Sequence, residues 1–560
     1  MLHKTDFYSK DLETLQNRFH TLLNDNPCSL SELEIWLEKK TELLDIIDEH
    51  LMHDYIKYQC DTNCSDTKEK LEFNQQNVKP LLKQNESLLN QKLSDCLIKL
   101  DTRNFDLLKQ KLQNSQDLFN EENIGLEIEE DKLITRYFDL TGNLMVKWEG
   151  IEIPLNDIYS YLQDPNKNIR GKALTLISNK MLSVEDELQL IMDNLLQIRH
   201  KKAINTELTN YRDYMFKKYE RLDYTPEDCT NLAESIRKYV VPLQEKLQKH
   251  QKEVLNLEVF QPCDIRATPS EQNNLGLIKD SEDLIEKSIN ILEKIDPTCS
   301  DLVRTMLKQG CIDLESRKGK APGGFCEYLP NSKLSFIFMN LSYTQDDIVV
   351  FLHEMGHCLH NEMMKDIKIK EYRNIPMESS ELASMTLELL TMEHWGEFYS
   401  NEIDLKNAKR KQLRSIVEYL PFTIIIDQFQ HWLYENPIHT SKERNQVFKE
   451  LMTKYDSNFV DWTGYEKWLE IQWLSVLHIF EVPFYYVEYA IAQLGALQMY
   501  KQYKINPKQT LSNLKKALSL GSSKSLKEVY QAAGIKFDFS EETIKDLMEF
   551  VEQEILLLDN

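Results

Sequence analysis

Two histidines in this chain are spaced to bind one metal ion. Residues 353–357 are His-Glu-Met-Gly-His, within the stretch IVVFLHEMGHCLHNEMMK, which we predict to be a helix. A separation of four residues puts the imidazoles of His353 and His357 on one helix face, so both can bind one zinc ion. Glu354 lies beside them, where it can take a proton from a water bound to that ion. Two buried structural histidines are the alternative interpretation.

A catalytic zinc site needs a third protein ligand. His360 follows the first histidine of the motif by two helical turns, roughly 10 Å along a straight helix, so it cannot bind the same ion. A second helix is predicted at 375–395, IPMESSELASMTLELLTMEHW, with Glu378, Glu381 and Glu388 on one face. Three carboxylates on one face repel each other unless a cation neutralises them. The spacing alone leaves the choice among the three open.

The segment before the motif predicts elements that position its helix. Residues 319–330, GKAPGGFCEYLP, concentrate glycine and proline, and predict a loop that turns sharply or lies close to another part of the chain. Residues 334–344, LSFIFMNLSYT, are rich in strand formers and predict a strand. Thr344 and Asp347 then form the pattern of a capping box at the start of the motif helix.

The composition favours a mainly α-helical chain. Of its 560 residues 41% are hydrophobic, but only 15 are glycine and 16 proline. Average usage of these two turn residues is about twice as high, so a many-stranded sandwich or barrel is excluded. Residues 1–130 indicate charged amphipathic helices, because Leu12, Leu15, Phe19 and Leu22 recur at helical spacing.

Local signals mark further elements. Residues 142–154, GNLMVKWEGIEIP, predict a small β-hairpin that turns at Glu149 and Gly150. Ser29 and Ser183 each precede an amphipathic stretch and predict helix starts.

Charge and hydropathy exclude several classes of function. The net charge of −24 and the lack of a dense basic run argue against a nucleic-acid partner. No apolar run reaches the length of a membrane span, and the start MLHKTDFYSK has no apolar signal-peptide core. The 10 cysteines are too irregularly spaced for a disulfide framework. We therefore expect a cytoplasmic protein without a membrane partner.

The two histidine- and glutamate-bearing segments resemble a known family. HEMGHCLH followed by MESSELASMTLELL is similar to the thimet-oligopeptidase-like zinc metallopeptidases, most closely the oligoendopeptidase F and Pz-peptidase branch. The resemblance covers roughly residues 130–535 and includes LQIRHKKA and YMFKKYERLDYTPED. It implies that Glu381 is the third zinc ligand. It also makes Glu388 a candidate for orienting a ligand imidazole.

The resemblance implies the fold as well. It predicts a large, mainly α-helical clamshell of the gluzincin type, with a deep central channel and a small β-sheet beside the HExxH helix. We expect residues 1–130 to form a lid-like N-terminal helical region and residues 131–560 the peptidase catalytic domain.

A second group of candidate residues lies near residue 480. Tyr485 and Tyr489 are four residues apart in a helix predicted to begin near Pro483, and His478 precedes them. An aromatic-rich core helix is the alternative interpretation. The resemblance implies that His478 and Tyr485, and next Tyr489, bind the scissile carbonyl and stabilise the oxyanion, with Tyr486 facing the core.

Together these features predict a zinc-dependent oligoendopeptidase that hydrolyses internal bonds of short peptides, with one Zn²⁺ and oligopeptide substrates. The strand at 334–344 is expected to pair with the substrate backbone. Two alternatives remain: an amino- or dipeptidyl-peptidase on the same motif, and a non-catalytic helical peptide-binding protein. The oligomeric state is left open.

Overall fold

The fold is that of a computed structural model, which describes residues 11–100, 105–269, 277–321 and 323–559. The expectation about a signal peptide in the first ten residues, and Pro322 of the predicted loop, lie outside the described residues. The protein is mostly helical, at 74%, with small sheets, which confirms the predicted class. Within the described residues no helix is both long and apolar enough to cross a bilayer.

The helices and strands are numbered in chain order. The helices are α1 Leu12–Asn24, α2 Leu30–Cys60, α3 Ser65–Phe73, α4 Lys79–Lys99, α5 Asp106–Leu118, α6 Glu121–Gly142, α7 Leu155–Ile158, α8 Lys167–Leu182, α9 Glu185–Asn205, α10 Tyr211–Lys218, α11 Pro226–Val254, α12 Ser281–Ile295, α13 Pro297–Gln309, α14 Gln345–Met364, α15 Met377–Thr391, α16 Glu402–Glu435, α17 Ser441–Tyr455, α18 Glu466–Ile471, α19 Leu477–Glu481, α20 Tyr486–Ile505, α21 Pro507–Leu518, α22 Leu526–Ala532 and α23 Glu541–Asp559. The strands are β1 Met145–Trp148, β2 Ile151–Pro154, β3 Ile312–Asp313, β4 Phe325–Leu329 and β5 Leu334–Phe338.

The chain forms two compact units. The first unit comprises Met1–Asp117, Asn274–Leu405 and Gly495–Phe537. The second unit comprises Leu118–Asn273, Lys406–Leu494 and Asp538–Asn560. The predicted division of the chain at residue 130 stays a prediction.

In the first unit the N-terminal helices have a core of their own. Leu15 and Phe19 are fully buried in a cluster with apolar residues of α2, α4 and α5, as the spacing in α1 predicts. Tyr372, which lies shortly before α15, packs against the same cluster. Lys40 of α2, itself buried, pairs with Glu371. The N-terminal helices therefore share a packed body with the two helices that carry the metal-ligand candidates.

Two of the three helix starts predicted at Ser29, Thr344 and Ser183 have the predicted cap. Ser29 accepts a hydrogen bond from the Glu32 N–H at 3.3 Å, as predicted. At the start of α14 the Thr344 N–H donates to the Asp347 carboxylate at 2.7 Å, which confirms this part of the capping box. A helix does begin just after Ser183, at Glu185, but Ser183 is not its N-cap, because its hydroxyl donates to the Lys180 carbonyl at the end of α8.

The sheets differ in part from the prediction. The hairpin is confirmed, since β1 pairs with β2 antiparallel around the turn at Glu149 and Gly150. The strand predicted at 334–344 ends at Phe338, and the segment predicted as a loop contains β4. In the three-stranded sheet the order is β3-β5-β4, so β5 has a partner on each side and β4 forms an edge. The expectation that the 334–344 strand accepts a substrate strand is therefore wrong for β5.

The glycine-rich loop does lie close to another part of the chain. Gly319 has φ +89°, and a Cβ there would lie 2.5 Å from the side chain of Asn63, which lies in the turn between α2 and α3. The Thr62 N–H donates to the Gly319 carbonyl at 2.6 Å. The loop is thus held against the N-terminal helices of the same unit, directly before β4.

Candidate metal centre and active site

The two helices that carry the ligand candidates touch at a glycine. Helices α14 and α15 pack against each other in the first unit. A Cβ on Gly356 would lie 2.4 Å from the Ser384 Cα and 2.8 Å from the Ala383 carbonyl oxygen. Only a residue without a side chain allows this approach. The glycine of the HExxH motif therefore sets the distance between the motif and the carboxylates of α15.

Replacing Gly356 by alanine is expected to destabilise the protein. The atoms it would meet are backbone atoms, which cannot move aside as a side chain can, so we expect a loss near the upper end of the overpacking range, about 3 kcal/mol. The measurement is the unfolding midpoint, together with metal content. Gly125→Ala is the control, because it lies in helix α6 with nothing within 4 Å of its added Cβ. It should stabilise by about 0.5–1 kcal/mol, and an equal loss in both variants would contradict the close-packing role.

Three donor atoms converge between α14 and α15. The Nε2 atom of His353 lies 3.3 Å from Oε2 of Glu381, and Nε2 of His357 lies 3.9 Å from the same oxygen. One donor atom from each residue lies within 4.8 Å of the other two. Ligands held at about 2.0–2.1 Å by a tetrahedral ion lie about 3.3 Å apart. The spacing of these donors therefore fits one divalent ion of the zinc class.

The other nitrogen of each imidazole is held by α15. His353 Nδ1 lies 2.6 Å from the Glu388 carboxylate, and His357 Nδ1 lies 3.2 Å from the Ser380 hydroxyl. Hydrogen bonds at Nδ1 turn both Nε2 atoms toward Glu381. Glu388 thus occupies the orienting position that the resemblance implies.

The electrostatics of this site call for a cation. Burial lowers the pKa of His357 to about 4, so its imidazole is in the neutral form that binds metals. Burial alone would also lower the pKa of His353, but Glu381 and Glu388 raise it well above its usual range. The buried Glu381 and the partly buried Glu388 therefore favour a positive charge beside this imidazole, which a metal ion supplies.

Glu354 is near the donors but is not one of them. It is buried, at 7% exposure, and is absent from the group of converging donor atoms. Burial raises the pKa of its carboxyl to about 7, against the opposing effect of His353. A carboxyl with a pKa near neutrality can both accept and return a proton.

Two other candidates fall outside the donor group. His360 is 1% exposed, and burial lowers its pKa to about 3, so it is a buried neutral histidine, as its spacing indicates. Glu378 is also buried but does not belong to the converging group. Packing therefore brings together only one of the three possible carboxylates with both histidines.

The second unit brings His478, Tyr485 and Tyr489 together. The Tyr489 hydroxyl lies 3.4 Å from His478 Nε2, and the rings of Tyr485 and Tyr489 are 5.2 Å apart. The predicted helix start near Pro483 is wrong, because Phe484 has φ +67° and α20 begins at Tyr486. Tyr485 therefore precedes the helix rather than lying on its face.

Arg199 holds the short helix that carries this histidine. Its guanidinium, fully buried, donates to the carbonyls of Ile479 and Phe480 in α19. Glu130 accepts from Arg199 at 2.7 Å and from Lys202 at 2.6 Å. The segment LQIRHKKA thus anchors α19 through an ion pair inside the second unit.

Arg221 has the same role for the tyrosine segment. It donates to the Phe484 carbonyl and, at 2.7 Å, to the buried Glu488 carboxylate of α20. This arginine belongs to the segment YMFKKYERLDYTPED. Both upstream segments that carry the family resemblance therefore position the histidine and tyrosines near residue 480.

The Glu130 ion pair predicts an acid-sensitive stability. Burial alone would raise the pKa of Glu130, but Arg199 and Lys202 lower it from 4.5 to about 2. The stabilisation is present above the unfolded pKa and is lost as the pH falls from about 4.5 to about 2. Glu130→Gln should cost about 3–5 kcal/mol at neutral pH and remove this part of the acid sensitivity. Denaturant midpoints measured at several pH values test this, with Glu129→Gln, exposed on the same helix, as control.

Residues 160–549 match Peptidase family M3. The chain belongs to this family. Among its M3 relatives are oligoendopeptidase F homologues of Borreliella burgdorferi, 24% identical over 439 residues (74% of this chain and 72% of the relative), and of Lactococcus lactis, 22% identical over 437 residues (73% and 68%). The resemblance to oligoendopeptidase F is thereby confirmed, and the chain is a metalloendopeptidase.

Solved structures confirm the M3 fold. The structure of Pz peptidase A with an inhibitor matches with a TM-score of 0.90 at 24% identity, covering 98% of each chain. Oligoendopeptidase F from Enterococcus faecium matches with a TM-score of 0.64 at 14% identity, covering 98% of this chain and 97% of that one. Membership of the M3 family implies a divalent metal.

Sequence reasoning missed two residues of this M3 site. Ser380 has no functional prediction from the sequence, yet its hydroxyl lies 3.2 Å from His357 Nδ1. Glu327 of β4 lies near enough to Glu354 to affect its charge, and burial raises the pKa of Glu327 to about 7. The sequence predicts a loop over 319–330, and a glutamate in a loop is expected to be exposed. Glu327 lies instead in the strand β4, which the sequence does not predict.

Proposed function

We propose that the protein is a zinc-dependent oligoendopeptidase that hydrolyses internal bonds of short peptides. His353, His357 and Glu381 would hold one catalytic Zn²⁺, which when bound polarises the scissile carbonyl and makes water more acidic. The observation that carries the proposal is the convergence of these three donors, with Glu354 buried beside them.

Glu354 is the proton carrier in this proposal. Its carboxylate accepts a proton from the attacking water and returns it to the leaving amine, and a pKa of about 7 suits both steps. Glu388 and Ser380 act as positioning residues, because each holds the Nδ1 atom of one histidine.

His478, Tyr485 and Tyr489 are assigned to the oxyanion in this proposal. The assignment rests on the family resemblance together with their mutual contacts. A hydroxyl or imidazole that donates to the developing oxyanion stabilises the transition state more than the ground state.

Tyr485→Phe is expected to lower kcat about 10²–10³-fold with little change in KM, since it removes one oxyanion donor. Tyr489→Phe should have a smaller effect. Tyr486→Phe is the matched control, because Tyr486 is 8% exposed and packs in the core. Steady-state kinetics on a quenched oligopeptide measure all three. A Tyr485→Phe enzyme with the wild-type kcat would remove Tyr485 from the mechanism.

The substrate backbone is proposed to add to the edge strand β4. The β4 strand pairs only with β5 in the described sheet, so its other edge can accept an extended peptide. Main-chain hydrogen bonds bind a peptide with little dependence on its side chains. This arrangement would give loose sequence specificity.

The test is cleavage of internally quenched oligopeptides with blocked N-termini, with the products identified by mass spectrometry. We expect internal cleavage that a chelator abolishes and Zn²⁺ restores. Cleavage of unblocked peptides alone would indicate an aminopeptidase or dipeptidyl peptidase. Binding without turnover would indicate a non-catalytic peptide-binding protein.

A further inference from the structure

A second group of metal-ligand side chains is buried in the second unit. Cys229 lies in the first turns of α11, and Asp427 and His431 are four residues apart on α16. One donor atom from each lies within 4.8 Å of the other two, and all three residues are less than 9% exposed. We propose that Cys229, Asp427 and His431 form a second metal site, for a divalent ion of the zinc class.

The spacing of the two α16 ligands fits an ion. His431 Nε2 lies 3.3 Å from Oδ2 of Asp427. This equals the distance between the corresponding atoms of His353 and Glu381. It is also the separation of about 3.3 Å expected for nitrogen and oxygen ligands around a tetrahedral ion.

One buried polar atom of His431 and one of Asp427 have no hydrogen-bond partner among the described residues. Within the described part of the chain, the buried atoms His431 Nε2 and Asp427 Oδ1 make no hydrogen bond. Oδ2 of Asp427 accepts a hydrogen bond from the neighbouring Gln428 at 3.2 Å.

A buried polar atom without a hydrogen bond destabilises the folded state. Asp427 is 0% exposed, and a buried carboxylate requires a cation or several donors. An ion held by the two side chains and the Cys229 thiolate would give His431 Nε2 a partner and would neutralise the buried Asp427 carboxylate. The phenyl rings of Phe216 and Phe484 lie 6.1 and 5.4 Å from the His431 ring, and restrict its orientation.

The donor set selects the kind of metal. One thiolate, one imidazole and one carboxylate suit Zn²⁺ or Co²⁺ rather than Mg²⁺ or Ca²⁺, which prefer oxygen alone. Binding releases the thiol proton of Cys229 to solvent. A surface cleft of about 420 Å³, lined by Arg212, Glu227 and Glu435 among others, reaches His431, so an ion can approach the group from this side.

Cobalt separates this site from the catalytic one. A thiolate bound to Co²⁺ absorbs in the near ultraviolet by sulfur-to-metal charge transfer, and the donors His353, His357 and Glu381 contain no sulfur. The metal-free full-length protein is titrated with Co²⁺, and separately with Zn²⁺ for elemental analysis. We expect two ions per chain and the charge-transfer band in the wild type.

Matched variants show which site gives rise to the charge-transfer band. Cys229→Ser should bind one ion, lose the band and keep peptide cleavage, and Asp427→Asn should weaken Co²⁺ binding at this site. Cys263→Ser, a buried cysteine of the same unit outside the group, should keep both ions. A His353→Ala/His357→Ala variant should keep one ion with the band.

Two results would overturn the proposal. One is a wild-type protein that binds a single Co²⁺ ion per chain and shows no charge-transfer band. This test does not depend on the folding of any variant. The other is a band that persists in Cys229→Ser. Neither result bears on the catalytic ion, which is followed separately by peptide cleavage.

Discussion

Glu354→Gln will lower kcat for oligopeptide cleavage by about 10²–10⁴-fold and leave the catalytic ion bound. Glutamine keeps the size of the side chain but cannot accept a proton from the attacking water. Because Glu354 is not one of the converging donors, metal content should stay at the wild-type value. Steady-state kinetics measure kcat, and elemental analysis of the same preparation measures the metal content.

The control for this variant is on the same helix. Glu362 of α14 is partly exposed and pairs with Lys365, so Glu362→Gln should leave kcat unchanged. A Glu354→Gln enzyme with wild-type kcat would exclude Glu354 as the proton carrier. Loss of metal in Glu354→Gln would show that its role is structural rather than catalytic.

Glu381→Gln will lose the catalytic ion and, with it, peptide cleavage. The amide is a much weaker ligand than the carboxylate, and the substitution removes the one carboxylate among the three converging donors. We expect metal affinity to fall by more than the roughly 10–100-fold typical of an orienting residue. Metal titration and cleavage assays at saturating Zn²⁺ test this.

Glu388→Gln provides the matched comparison. It acts on His353 Nδ1 rather than on the ion, so its loss of metal affinity should fall within about 10–100-fold. Excess Zn²⁺ should restore most of its activity but little of that of Glu381→Gln. A larger loss in Glu388→Gln than in Glu381→Gln would reverse the two roles.

The local features of the chain were predictable because they depend on neighbouring residues. Capping at Ser29 and the spacing of Leu15 and Phe19 act within one or two helical turns. The β1–β2 hairpin needs only a short turn. The strand predicted at 334–344 is longer than β5, which ends at Phe338, where its pairing with β3 and β4 ends. The sequence does not show this end, because the partner strands are set by tertiary contacts.

At the candidate site, the spacing of His353 and His357 already places both on one helix face, because i,i+4 spacing is a property of the helix alone. The spacing leaves three α15 carboxylates as candidates, and the one that meets the histidines depends on how closely the folded helices α14 and α15 approach at Gly356. The group of Cys229, Asp427 and His431 could not be predicted from the sequence, because it too depends on the packing of helices. Cys229 and Asp427 are far apart in the chain, and no local pattern records that the folded helices α11 and α16 bring them together.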